Sequence, residues 1–190
     1  MLDKSVEFFR IVLKREQGRE IKEAKLPSGF KFVKFQEGDE RAWAEIESSV
    51  LEFNSIEEGE KYFRKKFLPH LDEIKRRMIF IENENGEKVA TFTAWWRYTG
   101  ERRHPFMEWV SVKPEYQGKG LGKALISNGV KLMVSIEGDC IMYIPTQTWS
   151  HKAIRLYRWA GFEFETEEKF PGGIENQTLK GIEVIKELIG

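Results

Sequence analysis

The sequence contains few of the residues that build cross-links and metal centres. Its 190 residues include one cysteine, Cys140, and three histidines. A lone thiol cannot form an internal disulfide, and His70, His104 and His151 do not have the spacing of a zinc site. We therefore expect a protein of a reducing compartment, the cytoplasm, that uses no metal ion.

The sequence also lacks an excess of either charge and any long apolar run. Lys and Arg together number 31, and so do Asp and Glu, so the molecule offers no long-range attraction for a polyanion. Near the N-terminus the longest apolar run is Ile11-Val12-Leu13, far shorter than a signal peptide or a membrane span requires. We expect neither a nucleic acid nor a membrane as a partner.

Apolar residues are sufficient for one hydrophobic core. They make up 41% of the chain, and no Gly-, Ser- or Pro-rich linker divides it. The best joint is Leu26-Pro27-Ser28-Gly29. We predict a helical N-terminal leader over residues 1–26, from the spacing of Val6, Phe9 and Leu13, and one domain over residues 27–190.

Hydrophobic periodicity predicts mixed strands and helices from residue 30 onward. A strand over residues 30–35 precedes two helices, and three sequential strands follow, the last over residues 106–112. A long helix begins after Gly118, and a strand that starts at Cys140, a helix, a strand and a helix complete the chain. The predicted fold class is α/β (α+β), with a single mixed, mainly antiparallel sheet flanked by helices on both faces.

Three glycines at alternate positions, Gly118, Gly120 and Gly122, lie between the last of the three strands and the long helix. Inside a helix each would cost about 1 kcal/mol relative to alanine, so helix propensity does not explain them. A backbone without Cβ atoms allows the unbonded N–H groups of a first helical turn to converge on an anion, and the helix dipole favours negative charge there. The pattern predicts a pyrophosphate site.

Two other phosphate-binding motifs fit this stretch poorly. A Walker motif needs four residues between its first glycine and Gly-Lys-Ser/Thr, whereas three separate Gly118 from Gly122, and Ala124 offers no magnesium ligand. The dinucleotide fingerprint follows the first strand of a parallel unit, whereas these glycines follow antiparallel strands. A dinucleotide site is therefore disfavoured.

The stretch resembles the GNAT superfamily of acyl-coenzyme A-dependent N-acyltransferases. The signature Q/R-x-x-G-x-G/A of that family is matched at Gln117, Gly120 and Gly122. A second family motif, A-x-x-x-Y-x-x-x-G-F, is matched by the residues from Ala153 to Phe162. The resemblance covers about residues 106–164 and implies the GNAT fold, with acetyl-coenzyme A as the acyl donor and no metal.

By this resemblance, the strand before the turn pairs with the pantetheine arm and the turn itself holds the pyrophosphate. Where the family commonly has an asparagine that touches pantetheine, this chain has a serine. The cofactor-binding residues that the resemblance implies are Val110, Ser111, Val112, Gln117, Gly118, Lys119, Gly120, Leu121, Gly122, Lys123 and Ser150.

The resemblance also suggests two catalytic residues. Tyr157 occupies the position where many members keep a tyrosine that protonates the departing thiolate. Glu108 lies on the strand that leads to the cofactor site, where the family often places an acidic residue that acts as a base. A base is needed because removing a proton from an alkylammonium at pH 7 costs about 5 kcal/mol. Cys140, on a predicted buried strand, is not expected to form a covalent intermediate.

The expected reaction is acetyl transfer to a primary amine by direct attack in a ternary complex. The alternative is a non-catalytic acyl-coenzyme A-binding sensor, and a nucleic-acid or ribosome-binding protein fits the zero net charge poorly. The acceptor, a small-molecule or peptide amine, is not identified by any motif. The leader or the C-terminal segment offers a surface for a homodimer.

Overall fold

The structure, a computed structural model, describes residues 2–170 and 173–189. The strands are β1 (Arg10–Arg15), β2 (Phe30–Lys34), β3 (Met78–Asn83), β4 (Lys88–Thr99), β5 (Arg102–Val112), β6 (Met142–Gln147) and β7 (Glu163–Phe164). The helices are α1 (Glu40–Ser49), α2 (Ile56–Lys66), α3 (Leu71–Arg77), α4 (Leu121–Glu137), α5 (His151–Trp159) and α6 (Thr178–Ile189).

All seven strands belong to one mixed sheet, in the order β2-β3-β4-β5-β6-β1-β7. The pairs β2–β3, β3–β4, β1–β6 and β1–β7 are antiparallel, whereas β5 and β6 are parallel, with Phe106 opposite Tyr143. The predicted fold class, a mixed and mainly antiparallel sheet with helices between its strands, is confirmed.

The chain forms two compact units. The first contains Glu23–Thr93 and Trp109–Leu132, and the second contains Leu2–Lys22, Ala94–Glu108 and the chain from Met133 onward. Among the predicted cofactor residues, those from Val110 to Lys123 lie in the first unit. Glu108, Ser150 and Tyr157 lie in the second.

In the first unit, local sequence signals fix the ends of several elements. Ser55 caps α2, because its side chain accepts a hydrogen bond from the backbone N–H of Glu58 at 3.2 Å. Pro69 ends that helix in a short 3₁₀ turn before α3 begins. Gly86, with a φ of 80°, allows the tight turn between β3 and β4 that its neighbours predict.

In the second unit, the helical conformation predicted for the N-terminal leader is wrong. Ile11, Val12 and Leu13 are fully buried in β1, which pairs with β6 on one side and β7 on the other. A strand inside a sheet is buried on both faces, so its apolar residues are contiguous and do not alternate. The division of the chain at residue 26 itself stays a prediction.

Two further boundaries in this unit differ from those predicted. β5 begins at Arg102, four residues earlier than expected, because Gly100 with a φ of 63° allows a tight turn directly after β4. Cys140 precedes β6 and is half-buried, so its predicted place on a strand is wrong. Burial nevertheless raises the pKa of the Cys140 thiol.

Helix α6 packs on β1. The backbone N–H of Val12 donates to the Thr178 hydroxyl at 2.9 Å. Gly181 faces Ile11 so closely that a Cβ there would lie 2.7 Å from the Ile11 side chain. The helix therefore depends on a small residue at its contact with the sheet.

Candidate functional site

The glycine turn between β5 and α4 has a backbone that other residues rarely adopt. Gly118 has a φ of 77° and Gly120 a φ of 85°, both in the left-handed region. A Cβ at Gly118 would meet no heavy atom within 4 Å, and at Gly120 it would meet only Pro27, at 3.8 Å. Glycine is therefore required at these two positions by the backbone conformation and not by crowding. The space next to both Cα atoms is open.

The backbone N–H groups of this turn are available to an outside partner. The hydrogen bond from the Ala124 N–H to the Gly120 carbonyl, at 3.3 Å, begins the ladder of α4. Among the residues that the structure describes, none accepts a hydrogen bond from the N–H groups between Gly118 and Gly122. Donors at the start of a 17-residue helix form an anion-binding arrangement.

The side chains of the turn have different environments. Leu121 is fully buried, so only its backbone could reach a ligand. Lys119 and Lys123 are exposed, and the Lys119 ammonium lies 4.9 Å from the centre of the Tyr116 ring. The Gln117 side chain is held against the backbone, because its amide donates a hydrogen bond to the carbonyl oxygen of Val112 at 2.8 Å.

One residue near the end of β5 departs from the regular strand conformation. Trp109 has a φ of 55°, which is a rare value for a bulky residue and marks backbone strain. Val110, Ser111 and Val112, the predicted pantetheine contacts, follow it and are half-buried. Strain of this kind persists where the surrounding structure fixes it, often next to a binding site.

A buried carboxyl group contacts this part of the strand. Glu47 on α1 is 0% exposed, and its Oε2 accepts a hydrogen bond from the Ser111 hydroxyl at 2.9 Å. Its other oxygen, Oε1, has no hydrogen-bond partner among the described residues. Burial raises the pKa of Glu47 well above its ordinary value, and the nearby Glu52 carboxylate raises it further, while the hydrogen bond from Ser111 lowers it.

Glu47 was not predicted as a site residue, although the sequence contains a signal for it. Trp43, Ile46, Glu47 and Val50 follow the i, i+3, i+4, i+7 spacing of a buried helix face, and all four are buried. A glutamate in such a stripe is rarely buried without a function or a partner.

Aromatic rings from α1, from α2 and from the connection between these helices form a cluster beside Trp109 of β5. The ring centres of Trp43, Tyr62 and Phe53 lie 5.0, 5.1 and 5.7 Å from that of Trp109. The Lys66 ammonium lies 5.9 Å from the Trp109 ring centre and 5.8 Å from that of Tyr62. The rings of Trp109 and Tyr62 therefore hold one alkylammonium group, that of Lys66, in cation–π contact.

In the second unit, the predicted base Glu108 is part of an ion pair. Its carboxylate accepts a hydrogen bond from Nε of Arg97 on β4. The Glu108 side chain is 2% exposed and that of Arg97 is 37% exposed. The sequence did not predict this pairing, which joins neighbouring strands and cannot be read from residues eleven positions apart.

Tyr157 and Ser150 lie on and before α5. Tyr157 is 5% exposed and lies on the buried face of that helix with Ile154. Ser150 is half-buried and stands directly before the helix, whose N–H groups its side chain does not cap. The chemical roles of both residues stay predictions.

Within residues 2–170 and 173–189, no group of three or more His, Cys, Asp or Glu side chains is arranged to hold a metal ion. Over the same ranges, each helix is too short or too polar to cross a membrane.

Comparison with known proteins assigns the family. The model of the acetyltransferase (GNAT) family matches residues 41–162. A mycothiol acetyltransferase of Kocuria rhizophila is 25% identical over 156 residues, which cover 74% of this chain and 48% of the relative. A thialysine N-epsilon-acetyltransferase of Sus scrofa is 30% identical over 89 residues, which cover 46% of this chain and 49% of the relative.

The chain spans about half the length of these curated relatives. Among solved structures, a GCN5-related N-acetyltransferase from Sphaerobacter thermophilus has a similar fold. It aligns with a TM-score of 0.65 and 19% identity, over 84% of this chain and 49% of that protein. The family match covers more than half of the sequence and includes both the glycine turn and α5, so the chain belongs to the acetyltransferase (GNAT) family.

Proposed function

We propose that the protein is an N-acetyltransferase that transfers an acetyl or similar small acyl group from acetyl-coenzyme A to a primary amine. The observation that carries this proposal is the glycine turn, where the N–H groups from Gly118 to Gly122 have no acceptor among the described residues. A pyrophosphate is an anion of the right kind for donors at a helix N-terminus. The family assignment and the names of the two curated relatives support it.

The residues at this end of the first unit fit coenzyme A. The turn would hold the pyrophosphate through backbone N–H groups, and Lys119 and Lys123 would add positive charge. The backbone of Val110 and Val112 would pair with the pantetheine arm, as an added strand pairs with a sheet edge. When bound, acetyl-coenzyme A supplies a thioester with an electrophilic carbonyl carbon.

The acceptor in this proposal is an alkylamine that arrives as an ammonium ion. The aromatic cluster supports this class, because its rings already hold the ammonium group of Lys66. Amine and thioester would react directly in a ternary complex. No residue would carry the acyl group, since Cys140 has a raised pKa and so little of the nucleophilic thiolate.

Proton transfers would complete the reaction. Tyr157 would protonate the departing thiolate, for which a phenol must be held close and desolvated, because its ordinary pKa of about 10 exceeds the thiol value of about 8.5. Its position on the buried face of α5 supports the desolvation. Glu108 is the base that the family resemblance suggests, but accepting a proton would end its ion pair with Arg97.

Two measurements on the full chain test this function. Thermal unfolding with coenzyme A, acetyl-coenzyme A and adenosine diphosphate tests the turn. A ligand at one hundred times its Kd adds about 2.7 kcal/mol and raises Tm by several degrees. Release of free thiol from acetyl-coenzyme A is then measured with L-lysine, thialysine, spermidine and tyramine.

We expect both forms of coenzyme A to raise Tm and at least one amine to accelerate thiol release. Stabilisation without amine-dependent release would instead identify an acyl-coenzyme A sensor. No stabilisation by any coenzyme A form would contradict the proposed function.

A further inference from the structure

The first observation behind this inference is the position of Glu47. Its carboxyl group lies on the apolar face of α1, fully buried, with Oε1 unpartnered among the described residues. An unpartnered buried carboxyl oxygen is destabilising, so its presence calls for a use. Trp43, one turn earlier on the same helix, likewise has an indole N–H without a partner in the described chain.

The second observation is a hydrogen bond that joins the buried Glu47 to a half-buried residue. Ser111 is half-buried, and its hydroxyl donates to Glu47 Oε2 at 2.9 Å. It stands between Val110 and Val112, two residues after the strained Trp109. The residue that is hydrogen-bonded to the buried carboxyl group is therefore itself partly open to solvent.

We propose that Ser111 and Glu47 together accept the proton that the acceptor amine loses during acetyl transfer. The inference rests on the proposed function and names a proton acceptor for it other than Glu108. Ser111 would be the catalytic residue that touches the amine, and Glu47 the positioning residue that receives the proton through it.

The proton and electron movements balance. One N–H bond of the ammonium breaks, and its proton passes to Ser111 Oγ while the Ser111 hydroxyl proton passes to the Glu47 carboxylate. The freed nitrogen lone pair forms the new C–N bond at the thioester carbon, and the C–S bond breaks with its electron pair on sulfur. The nitrogen then loses a second proton as the amide forms, which balances the proton that the thiolate gains from Tyr157. Glu47 ends the step as a neutral acid, the form that its buried site favours.

The surroundings of Glu47 raise its pKa above that of an ordinary carboxyl group. A carboxylate with an ordinary pKa is a weak base at pH 7, whereas efficient catalysis needs a pKa close to the working pH. Burial and the Glu52 carboxylate raise the pKa of Glu47, and the hydrogen bond from Ser111 lowers it. The Lys66 ammonium lies over the ring of Trp109, two residues before Ser111.

The test compares Glu47→Gln and Ser111→Ala with wild type and with a matched control. Glu45→Gln is the control, because Glu45 is on the same helix and its side chain is 39% exposed, in an ion pair with Arg41. The kcat/KM of each protein is measured from pH 5.5 to 9.5 with acetyl-coenzyme A and the best of the four amines named above. Each variant is first checked for a wild-type circular dichroism spectrum.

We expect Glu47→Gln and Ser111→Ala to lose at least tenfold in kcat/KM at pH 7. Both should also lose the acidic limb that Glu47 causes, and recover towards wild-type rates near pH 9.5, where the amine deprotonates in solution. Glu45→Gln should match wild type throughout. An unchanged acidic limb in Glu47→Gln, or its loss in Glu108→Gln instead, would overturn the inference and leave the proposed function intact.

A measurement without substrate tests the pair directly. Infrared difference spectra between pH 5 and pH 9 should show the carbonyl band of a neutral buried carboxylic acid that titrates in wild type and in Glu45→Gln. The band should be absent from Glu47→Gln and shifted in Ser111→Ala, which lacks the hydrogen bond. A band that persists in Glu47→Gln would overturn the inference, and a wild type that acetylates no amine would overturn it together with the proposed function.

Discussion

Gln117 and Val112 are joined by a hydrogen bond in which the side-chain amide of the first residue donates to the backbone carbonyl of the second, at 2.8 Å. This bond closes the segment between the end of β5 and the glycine turn. The glutamine of the family signature thus shapes the turn from within the protein, in addition to any contact with coenzyme A. The turn is preorganised before a ligand arrives, which lowers the ordering cost of binding.

The Gln117 hydrogen bond predicts a binding effect. Gln117→Leu should lose about 1 kcal/mol of stability, the usual contribution of one hydrogen bond, and weaken coenzyme A binding severalfold. Turnover at saturating acetyl-coenzyme A should change little. Calorimetric titration with coenzyme A measures the effect, and Gln36→Leu, at another exposed glutamine, is the control. Equal affinities in the two variants would contradict this role.

Alanine substitutions at two left-handed glycines should separate an effect on protein stability from an effect on coenzyme A binding. Gly118→Ala and Gly86→Ala place the same methyl group at φ values of 77° and 80°, with no heavy atom within 4 Å in either case. Both should cost about 1–2 kcal/mol of unfolding free energy, because a Cβ disfavours this conformation. Only Gly118→Ala should also weaken coenzyme A binding, by about tenfold, or about 1.4 kcal/mol.

Urea unfolding and calorimetric titration of both variants give the two quantities. A loss of affinity in Gly86→Ala as large as in Gly118→Ala would show that the effect is a general one of stability and not of the turn.

The hydroxyl of Tyr157 predicts a change in turnover alone. Tyr157→Phe keeps the buried ring on α5 and removes the proposed acid. We expect kcat to fall about 100-fold, within the range for loss of a general acid, and the Kd for coenzyme A to stay within twofold. Steady-state kinetics and titration measure the two constants. An unchanged kcat would exclude Tyr157 from the mechanism.

The Arg97–Glu108 ion pair predicts unequal costs for its two partners. The Glu108 side chain is 2% exposed and that of Arg97 is 37% exposed. Arg97→Met leaves a buried carboxylate without its guanidinium, whereas Glu108→Gln leaves a cation that can turn to water. Arg97→Met should therefore cost about 2–4 kcal/mol, and Glu108→Gln about half as much.

Urea unfolding of the two single variants and the double variant measures these costs and their coupling. A larger loss in Glu108→Gln than in Arg97→Met would contradict the interpretation that desolvation of the carboxylate dominates.

The raised pKa of Glu47 predicts how stability depends on pH. Between its ordinary value near 4.5 and its higher value in the folded protein, the folded state binds more protons than the unfolded state. This group therefore makes wild type less stable as pH rises through that window, by at most about 1.4 kcal/mol per pH unit. Its stabilising contribution is fully present only below the ordinary pKa.

Glu47→Gln carries no such proton, so its stability should rise relative to that of wild type as pH increases above 4.5. The difference in urea midpoint between the two proteins, measured at several pH values, checks the sign. A constant difference would mean that Glu47 does not titrate in this range, and Glu45→Gln should show the behaviour of wild type.

The sequence by itself determined the features that depend on neighbouring residues. The glycine turn, the Ser55 cap and the helix that follows Gly118 are fixed by local conformational preferences, which act within a few residues of the chain. The same locality explains why two short motifs were enough to predict the family. It also explains why the order of elements from β2 to β7 was predicted correctly except for α3, a third helix where two were expected.

Only the tertiary structure decided the features that join distant parts of the chain. β1 is a strand because β6 and β7 pair with it, although its spacing also fits a helix. Glu47 is buried and bonded to Ser111 because α1 packs against the end of β5, 64 positions further along. Strand pairing and side-chain burial are set by the whole fold, and a periodicity measured over a dozen residues does not contain them.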